Sequence, residues 1–226
     1  ILYPLLQLTI YAVLYTYIFK IRPTGLTEMG YVLLVFSGLI PLMAFSEAIN
    51  SSTTSLSSNK NLLLNTVFPA ELIPLRAAIS AQITSIIGLF ITLLLGYALG
   101  RTSWHAILLV PLIWVLLLMF CIGIGWILSL ISLVARDIQH GLGLITMVCF
   151  ILSPFAYTPE MVPHQLKLFI YINPLSYFVL MFQSVICYGS WPNPILSLCT
   201  CMLAATSFLI GFTIFQKAKH IFFDYA

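Results

Sequence analysis

Residues 106–134 read AILLVPLIWVLLLMFCIGIGWILSLISLV, a long stretch without one charged side chain. The hydrocarbon layer of a bilayer is about 30 Å thick and takes roughly 20 apolar helical residues per crossing. No water is available there to bond exposed N–H and C=O groups, so a crossing segment must be a helix rather than an open strand. Working outward from this run, further charge-poor apolar stretches cover about 1–19, 30–49, 77–100 and 138–157.

Composition makes the same demand on the whole chain. Of 226 residues, 61% are hydrophobic and 7% are charged, against about 45–50% and about 25% in soluble domains. Too few charges exist to cover a water-facing surface, so apolar surface must face lipid. The net charge of +3 is small and its basic residues are scattered, which excludes the clustered cationic face of a nucleic-acid binder. The five cysteines, at 121, 149, 187, 199 and 201, lack CxxC spacing and accompanying histidines, so they read as small core hydrophobes. The chain opens directly in an apolar run, and further N-terminal sequence is expected before Ile1.

After Lys167 comes an uncharged run of 49 residues, 168–216, interrupted by Asn173-Pro174 and by Trp191-Pro192-Asn193-Pro194. That is too long for one crossing. Proline at 174 removes a helix hydrogen bond and pushes Asn173 toward an extended conformation. Residues 168–188 therefore read as a broken, re-entrant helix pair, followed by a sixth span over 194–215; a full crossing, making seven spans, is the alternative. The expected fold is all-α, a polytopic membrane protein forming one transmembrane domain over 1–226, with six transmembrane helices plus a re-entrant helical hairpin between the fifth and sixth. Cytoplasmic ends would place Lys60, Arg76, Arg136, Lys217 and Lys219 inside and Lys20, Arg22, Arg101 and Lys167 outside, so the positive-inside rule does not decide the orientation.

Loops and span edges carry the remaining information. Residues 50–65, NSSTTSLSSNKNLLLN, supply side-chain oxygens for helix ends and lead through Leu62, Leu63 and Leu64 to Val67-Phe68-Pro69. The pattern suggests a short amphipathic helix along the membrane surface, either an interfacial turn or a docking element for a soluble partner. Arg136-Asp137-Ile138-Gln139-His140 is the polar knot between the fourth and fifth runs; Asp137 and His140 stand at i,i+3 spacing, but a membrane-edge Arg and Asp more often pair at the interface than perform acid–base chemistry. Glu47, near the end of the second run, is expected to be neutral or hydrogen bonded, a proton-coupling role being the alternative.

Tyr3, Gln7, Tyr11 and Tyr15 recur every four residues and draw one slanted stripe along the first span. Such a stripe should not face lipid; it serves either as interhelical glue or as the wall of a passage where rings stack on sugars. Gly96 and Gly100, and Gly123 and Gly125, favour close helix packing. The stretch Ser153-Pro154-Phe155-Ala156-Tyr157-Thr158-Pro159-Glu160-Met161-Val162-Pro163 ends the fifth run in three prolines. Rigid bends there, followed by a broken helix, suit the gate of an exit.

Bond chemistry on this chain finds little support. The closest pair of carboxylates, Glu28 and Glu47, lies 19 positions apart, and no glycine precedes a lysine, so a phosphate loop is absent. His105, His140, His164 and His220 form no HExxH. No catalytic, cofactor-binding or metal-binding residue is expected.

Five segments taken in order resemble one family: FSGLIPLMAFSEAIN at 36–50, NKNLLLNTVFPAELIPL at 59–75, ARDIQHGL at 135–142, SPFAYTPEMVP at 153–163 and INPLSYFV at 172–179. The chain is similar to the permease subunit of type-2 ABC exporters, in the branch that exports O-antigen, capsule and teichoic-acid polysaccharides. The resemblance implies both ends cytoplasmic in the bacterial inner membrane, a homodimer forming the channel, and a separate ATPase subunit that holds the ATP and magnesium. It also implies a coupling helix over 59–69. The coupling residues are then Asn59, Leu63, Leu64, Phe68, Pro69 and Glu71, with Arg136 and Asp137 in the second cytoplasmic loop. The glycan path would use Tyr3, Gln7, Tyr11 and Tyr15, and the periplasmic gate Pro154, Tyr157, Pro159, Pro163, Asn173 and Pro174. The family's amphipathic helix before the first span has no counterpart here. The expected function is export of polysaccharide or lipid-linked glycan, with the chain as conduit and its ATPase as motor. Export of a drug or lipid, and a membrane-embedded glycosyl or phosphoryl transferase, are the alternatives.

Overall fold

A computed structural model describes residues 26–59, 69–135 and 137–218, with Leu6, Thr9, Ile10 and Val13 as isolated positions before them. Among the described residues every regular element is helical: α1 (Glu28–Ser58), α2 (Leu72–Ala98), α3 (Ala106–Val134), α4 (Ile138–Leu152), α5 (Lys167–Ile172), α6 (Pro174–Ile186) and α7 (Pro194–Ala218), with two single 3-10 turns before α5. Four of these, α1, α2, α3 and α7, are long and apolar enough to cross a membrane, or five crossings if the bent pair formed by α5 and α6 counts as one.

The helix bounds differ from the sequence expectation in instructive places. The run at 106–134 is helical over those residues. The one expected at 30–49 continues to Ser58, through the Ser/Thr-rich stretch that reads as helix ends and a surface helix. Ser51 and Ser52 donate to the Ala77 and Pro74 carbonyls of α2, and the hydroxyls after them turn back on their own helix: Thr53 donates to the Ile49 carbonyl at 2.7 Å and Ser55 to that of Ser52 at 2.6 Å. Ser58 donates to the carbonyl of Thr54 at 2.8 Å. Back-bonding of this kind satisfies a hydroxyl inside an apolar helix without a neighbour. The fifth run, expected to reach Tyr157, stops at Leu152 because Pro154 pushes Ser153 out of the helical region. Its 15 residues span only about 22 Å. The first span lies outside the described residues.

The chain divides into two compact units, with boundaries that fall inside helices. Unit 1 comprises Ile1–Met43, Thr84–Trp114 and Cys149–Thr200. Its core is built from Tyr31, Leu33, Leu34 and Leu39 of α1 with Phe178, Phe182, Val185 and Ile186 of α6, all fully buried. Trp114 of α3 meets Phe182 edge to face at 6.0 Å. Unit 2 comprises Ala44–Ile83, Val115–Val148 and Cys201–Ala226. There α3 and α7 approach so closely that a Cβ on Gly123 would overlap the Ser207 carbonyl, and one on Gly211 the backbone of Gly123. This is the close approach that small residues permit between membrane helices. Along α2, Ile79, Ile83, Ile86, Phe90, Leu94 and Tyr97 are exposed; their steps of three and four form one apolar stripe, the face a lipid-bathed helix presents.

Candidate functional site

The turn that follows α4 explains the densest polar cluster of unit 1. Once Pro154 ends the helix, residues 153–156 are buried without a ladder to bond their carbonyls. Buried backbone groups need partners, so side chains from other helices must supply donors. Gln183 of α6 does so, its amide nitrogen lying 2.9 Å from the Pro154 carbonyl, 3.3 Å from that of Phe155 and 3.4 Å from that of Leu34 in α1. Tyr31 of α1 donates its hydroxyl to the Ala156 carbonyl at 2.9 Å. Gly38 is required beside this clamp, because a Cβ there would press on the Phe155 backbone and on the Gln183 amide.

Asn173 closes the cluster from the break between α5 and α6. Its backbone N–H caps α5 by donating to the Phe169 carbonyl at 3.2 Å, and its side-chain oxygen caps α6 by accepting from the Leu175 N–H at 3.1 Å. The same side chain donates to the Cys149 carbonyl at 2.9 Å and to the Ser153 hydroxyl at 2.8 Å. Pro174 takes the first position of α6, where a missing N–H costs nothing. The extended backbone at Asn173 turns the chain by 96° between the two helices.

Between these two anchored points runs residues 158–172, a segment of different character. Its 3-10 turns, Pro159–Met161 and His164–Leu166, bury no side chain, and α5 buries only Ile170. Beneath it lies an open cavity of about 440 Å³ lined by Leu152, Tyr157, Met161, Val162, Pro163, Leu166, Phe169 and Ile170. The Tyr157 hydroxyl donates to the Leu152 carbonyl, 3.1 Å distant. Of the six residues assigned to a gate, Tyr157 and Pro163 thus line the cavity, Pro154 and Asn173 sit in the clamped cluster, and Pro159 and Pro174 begin helical turns.

Unit 2 holds the described residues assigned to coupling. Asn59 ends α1 with its side-chain amide on the Ser55 carbonyl at 2.8 Å. Pro69 is exposed and starts the turn into α2 through its carbonyl, which accepts from the Leu72 N–H at 3.1 Å. The Glu71 carbonyl accepts the Trp126 indole N–H at 2.9 Å, and the same indole packs on Phe208, Phe212 and Phe215 of α7. Asp137 is exposed at the start of α4. Leu63, Leu64, Phe68 and Arg136, and all of Tyr3, Gln7, Tyr11 and Tyr15, lie outside the described residues, as does the side chain of His140.

Sequence reading passed over Tyr31 and Gln183. A signal for Gln183 existed: it is the only amide in the mostly apolar helix 174–186, whose other polar side chains are hydroxyls. An amide placed in an apolar helix needs bonding partners at depth. Among the described residues no group of three His, Cys, Asp or Glu side chains is close enough to hold a metal ion.

Residues 1–187 match the ABC-2 type transporter family. The chain is 28% identical over 218 residues to an O-antigen export system permease protein RfbA of Klebsiella pneumoniae, covering 94% of this chain and 82% of that protein. An RfbA permease of Myxococcus xanthus is 24% identical, over 80% of this chain and 69% of its own length. The polysialic acid transport protein KpsM of Escherichia coli is 22% identical, over 85% and 75%.

Proposed function

Because this chain belongs to the ABC-2 type transporter family, we propose that it is the membrane permease subunit of an exporter of polysaccharide or lipid-linked glycan of the O-antigen, capsule or teichoic-acid kind. The observation that carries this reading is likeness over nearly the whole chain to permeases named for O-antigen export. In this reading the protein sits in the bacterial cytoplasmic membrane with both ends inside, and six crossings are completed by the first apolar run and by α4. The bent pair α5–α6 dips into the outer side and returns. Two copies form the conduit, and a separate ATPase subunit holding ATP and magnesium drives it.

The described geometry suits division of labour within the chain. The coupling residues around 59–71 and at 136–137 flank, in the chain, the long helices α1 and α2 and the shorter α4, elements suited to carrying displacement. At the exit side, the clamped turn at 153–156 gives a fixed edge against which residues 158–172 open and close. The stripe of Tyr3, Gln7, Tyr11 and Tyr15 would line the path with rings and hydroxyls that stack on and bond to sugars. The chain performs no bond chemistry itself; its work is to shape and open a passage.

The test is to co-express the full-length protein with a candidate ATPase subunit, reconstitute both in vesicles, and measure ATP turnover and glycan export with and without lipid-linked glycan. Glycan-stimulated turnover with transport into the far compartment is expected. Turnover that responds to drugs or simple lipids and ignores glycan would assign the chain to another branch of the family, and activity of the purified chain without any ATPase would defeat the proposal.

A further inference from the structure

Within unit 1, the connection from α2 to α3 over residues 99–105 and the connection from α6 to α7 over residues 187–193 are laced together. Thr102 donates its hydroxyl to the Ile186 carbonyl at 2.7 Å, and Ser103 donates to that of Gly189 at 2.8 Å. Gly189 takes φ +57°, and a Cβ there would overlap the Arg101 carbonyl. Glycine is what lets the two connections lie this close.

Aromatic rings crown this junction. The buried His105 ring lies nearly flat on Trp191, with centroids 5.0 Å apart at 16°, and meets Trp104 edge-on at 6.3 Å. Its Nε2 is buried with no hydrogen-bond partner among the described residues, so the ring works through its faces. Trp104 and Trp191 are the outer pair, 79% and 67% exposed. Tyr97 is exposed as well, its hydroxyl on the Ser103 carbonyl at 3.2 Å.

The helices that adjoin these rings say what covers them. Trp104, Ile107, Leu108 and Leu112 are exposed at steps of three, one and four, and so continue one face of α3. Trp191, Ile195 and Leu198 do the same for α7 at steps of four and three. Tyr97 ends the apolar stripe of α2 after Phe90 and Leu94. Each lipid-facing stripe thus finishes in an aromatic residue at one junction. Tryptophan and tyrosine suit that position where hydrocarbon gives way to head groups, with the apolar body in one and the polar tip in the other. A platform for sugars would not require every ring to continue an apolar stripe.

We propose that Tyr97, Trp104 and Trp191 anchor this end of unit 1 at the lipid–water boundary, the partner being the head-group layer of the bilayer. This rests on the reading above only in that the chain spans a membrane; it does not depend on the glycan. The anchor also sets the depth of α6, whose end Thr102 ties to the junction. From that boundary its 13 residues descend by at most about 20 Å, short of the roughly 30 Å of a full crossing.

The experiment uses the full-length protein in phosphatidylcholine vesicles brominated either near the glycerol end or near the methyl end of the acyl chains. Subtracting the emission of Trp104→Phe or Trp191→Phe from that of the unsubstituted protein isolates each indole, and phenylalanine keeps a ring in the stack. Leu112→Trp is the deep reference, about 9 Å along α3 from Ala106. Both native indoles are expected to be quenched more by the shallow bromines, and the reference more by the deep ones, with depths about 9 Å or more apart. Deep-first quenching of either native indole would put the junction inside the hydrocarbon and overturn the proposal. Indoles that ignore both bromines would overturn it equally, as a sugar platform if a soluble oligosaccharide alters their emission and as a water-exposed loop if only aqueous acrylamide quenches them. Quenching that falls as the protein is packed more densely per lipid would place a second copy over the rings and sink the proposal. Failure of glycan transport, measured separately, leaves these outcomes readable.

Discussion

The amide of Gln183 lies 2.9 Å from the carbonyl of Pro154, a residue 29 positions earlier in the chain, and also reaches Phe155 and Leu34. Two amide protons thus serve three carbonyls and join α6, the turn after α4, and α1. Removing the amide with Gln183→Leu leaves the turn's buried carbonyls short of donors, at a cost of about 1–3 kcal/mol. A lower melting temperature in detergent is expected, with loss of export exceeding the loss of folded protein. Full export at unchanged stability would show that the clamp is dispensable.

Asn173 makes a sharper case, because one side chain caps α6 and ties the break to Cys149 and Ser153. Asn173→Asp keeps the capping oxygen but loses both donated bonds, whereas Asn173→Ala loses all three. Alanine should therefore destabilise more than aspartate if the cap dominates, by about 1 kcal/mol. The reverse order, measured by thermal unfolding, would mean that burial of the new carboxylate outweighs the cap.

Trp126 separates hydrogen bonding from packing in unit 2. Trp126→Phe retains a ring against Phe208, Phe212 and Phe215 but loses the bond to the Glu71 carbonyl, at about 1 kcal/mol. Trp126→Ala adds a cavity and should cost about 3–5 kcal/mol in all. If this indole holds the start of α2 for coupling, Trp126→Phe will also lower ATP-driven export while leaving the yield of folded protein near normal. Equal effects of both substitutions on stability would contradict the assignment.

The coupling segment gives a prediction that rests on sequence. Phe68→Asp or Leu64→Asp should leave the protein inserted in the membrane but separate ATP hydrolysis from export, measured side by side in reconstituted vesicles. Export at the normal rate in either variant would count against docking through residues 59–69.

How far the sequence discloses this structure depends on which force shapes each element. The run at 106–134 is legible because hydrophobicity alone decides it, and the helix spans those residues. The break at Asn173-Pro174 is legible because proline geometry is local. The extension of α1 to Ser58 is not, since Ser and Thr favour helix ends in water, and only apolar surroundings turn their hydroxyls back onto the helix. The end of α4 at Leu152 was within reach of the rule for residues that precede proline, yet the apolar run beyond it masked that signal. The clamp by Tyr31 and Gln183 bonds groups from 28 to 149 positions apart in the chain, and no spacing rule finds such pairs. Gln183 alone announced itself, as an amide in an apolar helix.

Ser132 of α3 offers one proton to two acceptors, the Thr53 carbonyl of α1 at 2.6 Å and the Ser129 carbonyl of its own helix at 3.0 Å. Should α1 and α3 draw apart, the hydroxyl swings home to its own turn and nothing is stranded in the hydrocarbon. For this one contact, parting amounts to a swap of acceptors, and rejoining restores the shorter bond. A hydroxyl with a second acceptor on its own helix is never left unbonded, whichever of the two it serves.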